Sequence, residues 1–193
     1  MHALTLAVEA GISRYYKPDI EASAIQIITL LNQSMATAIE DAELAKVILE
    51  RAFRQAEQLP NRGYGGYAQA IGEAMYINYL TPRGVTESIV LPELLRAYGT
   101  KAESRIAEIA RKTGLVAIEL PDDRTMRLFI SWIEQQRVLF GLPDYIEGLH
   151  PQDFPAIIDD TLDAVLHFYP APVFYDAIDL EQFLVPLLPH KTE

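Results

Sequence analysis

The chain has 193 residues, half of them apolar, which is enough for one domain with a buried core. It has no cysteine, so disulfides, thiolate metal sites and cysteine nucleophiles are excluded. Its formal net charge of −11 argues against nucleic-acid binding, which needs a basic surface. Met1 to Ser13 lacks the basic start of a signal peptide, and no apolar run approaches the ~18 residues that span a bilayer. We therefore expect a cytoplasmic protein that binds neither nucleic acid nor membrane.

The first part of the chain predicts three helices. Apolar residues recur at helical spacing from Met1 to Tyr16, and again from Ile20 to Ile39. Pro18 favours the start of the second helix, and Asp41 can cap a third. The buried side predicted for this third helix consists of four large apolar residues: Leu44, Val47, Ile48 and Phe53.

The central stretch, from Asn61 to Gly99, predicts two helical runs separated by a break at Thr81-Pro82-Arg83-Gly84. A pair of glycines, Gly65-Gly66, precedes the first run. The pair does not indicate a dinucleotide-binding loop, because no strand precedes it and no Gly-x-Gly-x-x-Gly pattern is present.

The remainder predicts four more helices, over Ala102–Thr113, Arg124–Phe140, Phe154–Phe168 and Leu180–Leu188, the last capped by Asp179. The inward face predicted for the second of these is Leu128, Phe129, Trp132, Ile133 and Phe140. For Leu115 to Leu120 the sequence is compatible with either a short strand or a loop. About nine helices with short connectors predict one all-α domain over residues 1–193.

Several short motifs taken together resemble the C-terminal helical half of the iron-containing alcohol dehydrogenase family, which is dehydroquinate synthase-like. They are Met1 to Ala10 (MHALTLAVEA), Ala68 to Gly72 (AQAIG), Pro82-Arg83-Gly84, and Ile89 to Pro92 (IVLP). The resemblance implies a multi-helix domain, a bound Fe or Zn ion, and use of NAD(P). It also implies an N-terminal nucleotide-binding half, for which these 193 residues have no room.

The resemblance further implies a metal site of one Asp and three His, and this sequence departs from it. The four ligand positions fall at His2, Leu6, about Gly65, and Arg83, while Gln69 replaces a further family histidine. A divalent cation needs about four N or O donors, yet leucine has none and guanidinium stays protonated. We therefore expect a degenerate site without metal, cofactor-binding or catalytic residues, in which His2, Gln69 and Arg83 mark a vestigial cleft.

Arg83 has two interpretations. The structural one is a salt bridge with Glu73 or Glu87 that fills the former metal position. The functional one is that Arg83, at the start of the helix beginning near Gly84, binds a small anion. Four tyrosines either line such a pocket or belong to the core: Tyr64, Tyr67, Tyr76 and Tyr79. The remaining histidines are scattered without ligand spacing: His150, His167 and His190.

Three functional hypotheses follow. The preferred one is a stand-alone helical domain without metal or catalysis, either a remnant or a binding or assembly module, whose bare cleft wall is covered by a second copy or a partner chain. The second is one half of a split NAD(P)-dependent alcohol dehydrogenase or aldehyde reductase. The third is a binder of small anions that uses the old cleft.

Overall fold

All regular secondary structure in residues 1–189, the part that the computed structural model describes, is helical. The α-helices in this part are α1 (His2–Ile12), α2 (Pro18–Thr37), α3 (Ala42–Ala56), α4 (Gln58–Asn61), α5 (Tyr67–Tyr79), α6 (Arg83–Tyr98), α7 (Glu103–Lys112), α8 (Asp122–Leu139), α9 (Phe154–Phe168) and α10 (Ala177–Leu184). Short 3₁₀ turns cover Gly99–Lys101, Pro151–Asp153 and Val185–Leu187. The all-α prediction is confirmed, and the short α4 is the helix that periodicity did not predict.

Helix ends follow local chemistry. Pro18 is the first residue of α2, and the Asp41 side chain accepts the Leu44 N–H at 2.9 Å to cap α3. The prediction that Asp179 caps the last helix is wrong. Asp176 is the cap, and Asp179 lies inside the first turn, where its carboxylate reaches back to the Asp176 N–H.

Helix α1 is the centre of the molecule. Every residue from Ala3 to Ile12 is buried, and α1 packs against α2, α3, α5, α6 and α7. A helix with apolar residues on every face needs neighbours on every side, which explains this position. Around it, α5 pairs with α6, α7 with α8, and α9 with α5 and α10. The residues Leu115 to Leu120 form turns and bends.

Helix α3 buries a different face from the one predicted. Its buried residues are three alanines, Ala45, Ala52 and Ala56. Of the four residues predicted to be buried, Leu44, Val47 and Phe53 are about half exposed, while Ile48, on the same face as the alanines, is partly buried. The small alanine side chains allow α3 to pack closely against α2 and α1.

Three other predicted core positions are also exposed, namely Ile39 after α2 and Leu128 and Phe140 on and after α8. The remaining inward residues of α8 behave as predicted, since Phe129 and Ile133 are fully buried and Trp132 packs against the core. Among residues 1–189, no helix combines the length and apolar character that crossing a membrane demands.

Candidate functional site

The start of α1 meets the start of α6 and the end of α3, and this junction contains the candidate site. The His2 Nδ1 donates to the two carboxylate oxygens of Glu87 at 2.8 and 3.0 Å. Its Nε2 lies 3.2 Å from Glu57, the residue that directly follows α3. A Cβ on Gly84 would lie 3.1 Å from the backbone nitrogen of His2, so the two helix starts are in direct contact.

Burial and nearby charges both shift the pKa values of His2 and Glu87. Burial lowers the pKa of His2, but its hydrogen bond to Glu87 and the charges of Glu87 and Glu57 outweigh burial and raise that pKa. Burial raises the pKa of Glu87, whose side chain is fully enclosed, and the bond from His2 opposes this only in part. His2 is therefore the partner that makes a buried carboxylate tolerable here.

Arg83 is occupied by a structural contact. Its Nε forms an ion pair with Glu73 of α5, one of the two carboxylates predicted for it, and its guanidinium lies 5.3 Å from the ring centre of Tyr76. The other predicted carboxylate, Glu87, pairs with His2 instead. The guanidinium side chain is 37 % exposed, so one side of it still faces solvent.

Gln69 belongs to a separate, buried corner. Its Nε2 donates to the hydroxyl of Tyr169 at 3.0 Å, so Gln69 and Arg83 have different partners. A Cβ on Gly65 would lie 2.7 Å from the Tyr169 ring, which leaves no space for a side chain at that position. Sequence reasoning missed Tyr169, which lies in the Pro-rich connector after α9.

Glu9 is the second polar residue that sequence reasoning missed. Its carboxylate accepts the backbone N–H of Ala68 at 2.8 Å and of Gln69 at 3.0 Å, which supplies partners for the start of α5. A Cβ on Gly66 would lie 2.6 Å from the Glu9 carboxyl carbon. Burial raises the pKa of Glu9 to about 8, despite the opposing hydrogen bonds from the backbone. The single acid in a mainly apolar α1 was the available sequence signal.

The four tyrosines do not form one pocket lining. Tyr64 and Tyr67 are buried in the core, and the Tyr67 hydroxyl accepts the backbone N–H of Tyr175 at 2.8 Å. Tyr76 is about half exposed and Tyr79 partly buried. Of the scattered histidines, His150 and His167 are exposed, and His190 lies outside the described residues.

A groove of about 650 Å³ opens beside His2. Its walls are mainly apolar and come from α1, α2 and α3, through residues that include Met1, Leu31, Leu49 and Phe53. The Phe53 ring is tilted against the imidazole of His2, with 6.3 Å between ring centres. Leu49 and Phe53 are each about half exposed. The groove is thus a mainly apolar surface bordered by polar side chains that include His2.

The sequence and the fold were compared with those of known proteins. No protein-family profile matches the sequence. The chain is 30 % identical over 175 residues to alcohol dehydrogenase 4 of Saccharomyces cerevisiae, and 28 % identical over 173 residues to 1,3-propanediol dehydrogenase of Citrobacter freundii. A 1,3-propanediol oxidoreductase structure superposes on 96 % of the chain with a TM-score of 0.83 and 23 % identity. An iron-containing alcohol dehydrogenase structure from Thermococcus thioreducens superposes on 95 % with a TM-score of 0.73 and 18 % identity.

The chain is a relative of the iron-containing alcohol dehydrogenases. The match covers 84 to 86 % of this chain but only 43 to 44 % of the two curated proteins. The two solved structures are covered to 50 % and 47 % of their lengths. The chain therefore spans about half the length of the iron-containing alcohol dehydrogenases it matches.

The metal that this relationship implies does not fit the side chains present. Both His2 nitrogens face carboxylates, Leu6 is fully buried and has no donor, the position at Gly65 is closed, and Arg83 carries a fixed positive charge. Within residues 1–189, no group of three or more His, Asp or Glu side chains is placed to hold a metal ion. A Zn or Fe site needs about four donors in a suitable geometry, and this donor set does not supply them.

Proposed function

We propose that this chain is a helical domain, related to the iron-containing alcohol dehydrogenases, that works without metal or catalysis as a binding or assembly module in the cytoplasm. The observation that carries the proposal is the pairing of the polar residues at the old ligand positions. His2 is engaged by Glu87 and Glu57, and Arg83 by Glu73. Because these side chains already have partners, the His2 nitrogens are not free to bind a labile cation, and the Arg83 guanidinium cannot bind one.

Metal analysis tests the first part of the proposal. The protein should be expressed in medium containing added iron and zinc, purified without chelator, and analysed by mass spectrometry of its metal content. We expect far less than one equivalent of any transition metal per chain, and no change in the unfolding temperature when EDTA is added. A stoichiometric ion that EDTA removes with loss of stability would contradict the proposal.

The exposed groove supports the assembly part. Apolar surface of this kind in soluble proteins usually marks an interaction site, so we expect a homo-oligomer or a partner chain to cover it. Sedimentation velocity at micromolar concentration measures this directly. Phe53→Ser in the groove should weaken association, whereas Leu166→Ser, at an exposed site on α9, should not. A monomer with unchanged sedimentation in all three proteins would count against the assembly role.

The second candidate is one half of a split NAD(P)-dependent dehydrogenase. Its support is the half-length match to proteins named as alcohol and 1,3-propanediol dehydrogenases. Leu6 and Arg83 argue against it, because neither can bind a catalytic metal. The test is a neighbouring reading frame that encodes a nucleotide-binding half. Co-purification of the two chains with NAD(P)-dependent aldehyde reduction would favour this candidate over the first.

The third candidate, a binder of small anions, depends on Arg83 because Gln69 is engaged with Tyr169. Its support is the partial exposure of the guanidinium on the first residue of α6. An anion would have to compete with Glu73 for it. Thermal-shift measurements with a panel of small carboxylates and phosphate should detect a rise that disappears in Arg83→Gln. The absence of any Arg83-dependent rise would remove this candidate.

A further inference from the structure

The metal-ligand positions that the resemblance to the family implies lie on segments that a bound ion would tie together. In this chain these segments are the first turns of α1, the loop before α5, and the start of α6, marked by His2, Gly65 and Arg83. A metal ion that binds side chains from separate segments contributes its binding free energy to folding. A relative that lacks the ion needs another connection between the same segments, or it loses that contribution.

We infer that a cluster of ion pairs, His2–Glu87, His2–Glu57 and Arg83–Glu73, has replaced the metal as the connection between α1, α3, α5 and α6. The inference rests on the proposed absence of metal. His2–Glu87 joins α1 to α6, and His2–Glu57 joins α1 to the end of α3. Arg83–Glu73 joins α6 to α5. Each connection runs between helices rather than within one.

The burial of Glu87 makes the first pair the central one. The Glu87 side chain has no exposed surface and that of His2 is 15 % exposed, so the pair is shielded from solvent. Thr86 and Ser88 beside it on α6 are also fully buried. Glu87 also packs against Gly72 of α5, where an added Cβ would lie 2.9 Å from the Glu87 Cγ, so α5 contacts this pair as well. Removing one partner of such a pair leaves a buried charge without compensation.

The surrounding packing also fills the space at two of the implied metal-ligand positions. Leu6 is fully buried in the core at one ligand position, and the Tyr169 ring occupies the space beside Gly65 at another. We therefore expect that restoring histidines at Leu6 and Arg83 does not restore a site, because a Cβ at Gly65 would lie 2.7 Å from the Tyr169 ring. The cluster and the closure are two independent observations that support one conclusion.

A double-mutant cycle tests the connection. His2→Ala, Glu87→Gln and the double variant are unfolded in urea, once with EDTA and once with excess ZnCl₂. We expect the unfolding equilibrium constant to show a coupling between His2 and Glu87 of at least roughly tenfold. The exposed pair Arg127–Asp123, on one helix, serves as the control cycle and should couple by roughly fivefold or less. If Glu87→Gln does not fold, the cycle of His2→Ala with the half-exposed Glu57→Gln measures the second connection, and it should exceed the control.

The outcomes separate this inference from the proposed function. Coupling between His2 and Glu87, with urea unfolding curves that superimpose in EDTA and in zinc, supports both the inference and the proposed function. No coupling above the control, in a protein that is free of metal, overturns the inference alone. Unfolding curves that shift with zinc in the unmodified protein overturn the proposed function and the inference together. Finally, Leu6→His/Arg83→His should show no zinc binding in competition with a coloured chelator, and tight binding would contradict the closure of the site.

Discussion

Gly72 provides the sharpest test of how the site is packed, because two effects oppose each other there. It lies in the interior of α5, where replacement of glycine by alanine ordinarily stabilises a helix by about 1 kcal/mol. An added Cβ, however, would lie 2.9 Å from Cγ, 3.0 Å from Oε1 and 3.3 Å from Cδ of Glu87. Carbon atoms in favourable contact are about 3.5–4.0 Å apart.

Glu87 cannot easily move away from the new methyl group. Its side chain is fully buried, and His2 holds both of its oxygens at 2.8 and 3.0 Å. Overpacking of a rigid core typically costs about 1–3 kcal/mol. The clash should outweigh the helix propensity, so we expect Gly72→Ala to lower the free energy of unfolding by about 1 kcal/mol.

Urea unfolding followed by far-UV circular dichroism measures this difference, provided that the slope with urea concentration is unchanged. The matched control is Gly72→Ala in a Glu87→Ala background, where the obstructing side chain is absent. There the alanine should stabilise, by up to about 1 kcal/mol relative to Glu87→Ala alone. If Gly72→Ala stabilises the unmodified protein, Glu87 is not held as tightly as we argue, and the reasoning fails.

Three further predictions concern the same core. Burial raises the Glu9 pKa from 4.5 to about 8, so between these values the folded state holds a proton that the unfolded state releases. The free energy of unfolding should therefore fall as the pH rises from about 5 to 8, by at most about 1.4 kcal/mol per pH unit. Urea unfolding at a series of pH values measures this slope, and Glu9→Gln should flatten it. A slope unchanged in Glu9→Gln would assign it to other groups. Tyr67→Phe removes the hydroxyl that accepts the Tyr175 N–H, and thermal unfolding should show a loss of about 1–2 kcal/mol, whereas no loss would mean that water replaces it. Asp176→Ala removes the cap of α10 and should cost about 1 kcal/mol in the same assay, with Asp179→Ala smaller; the reverse order would make Asp179 the cap after all.

The bounds of a helix could be predicted where particular residues, such as proline, start or end it. Helix α9 was predicted at both ends, since Pro151 introduces it and Tyr169-Pro170 cannot continue it. The cap of α10 was missed because Asp176 and Asp179 have the spacing of a capping box, in which either acid can look like the cap. Local sequence therefore indicated the helix but not which of its two acids begins it.

The inward face of α3 could not be predicted, because periodicity reveals amphipathicity but not how closely a neighbour approaches. Large residues such as Leu44 and Phe53 look like the core side, yet the buried residues of α3 are alanines. The packing of neighbouring helices decides which face of α3 is buried, and the sequence of α3 alone does not contain that information.

The candidate site was predicted in part. A salt bridge of Arg83 with Glu73 or Glu87 was one of two interpretations of the sequence, and the structure pairs Arg83 with Glu73 across the short break between α5 and α6. The partners of His2 did not follow from the sequence, since Glu57 and Glu87 are distant in sequence and only the fold brings them to α1. Glu9 was overlooked because a lone acid in an apolar run carries no motif.

The glycines of the central stretch also constrain how this protein can change over time. Gly66 faces the carboxyl group of Glu9, and Gly72 faces Glu87. A larger residue can be accepted at either glycine only after its opposing acid has become shorter, so the order of two substitutions matters. Homologous sequences should therefore show paired exchange at 66 with 9 and at 72 with 87, and lineages with a bulky residue on both sides of either contact should not be found.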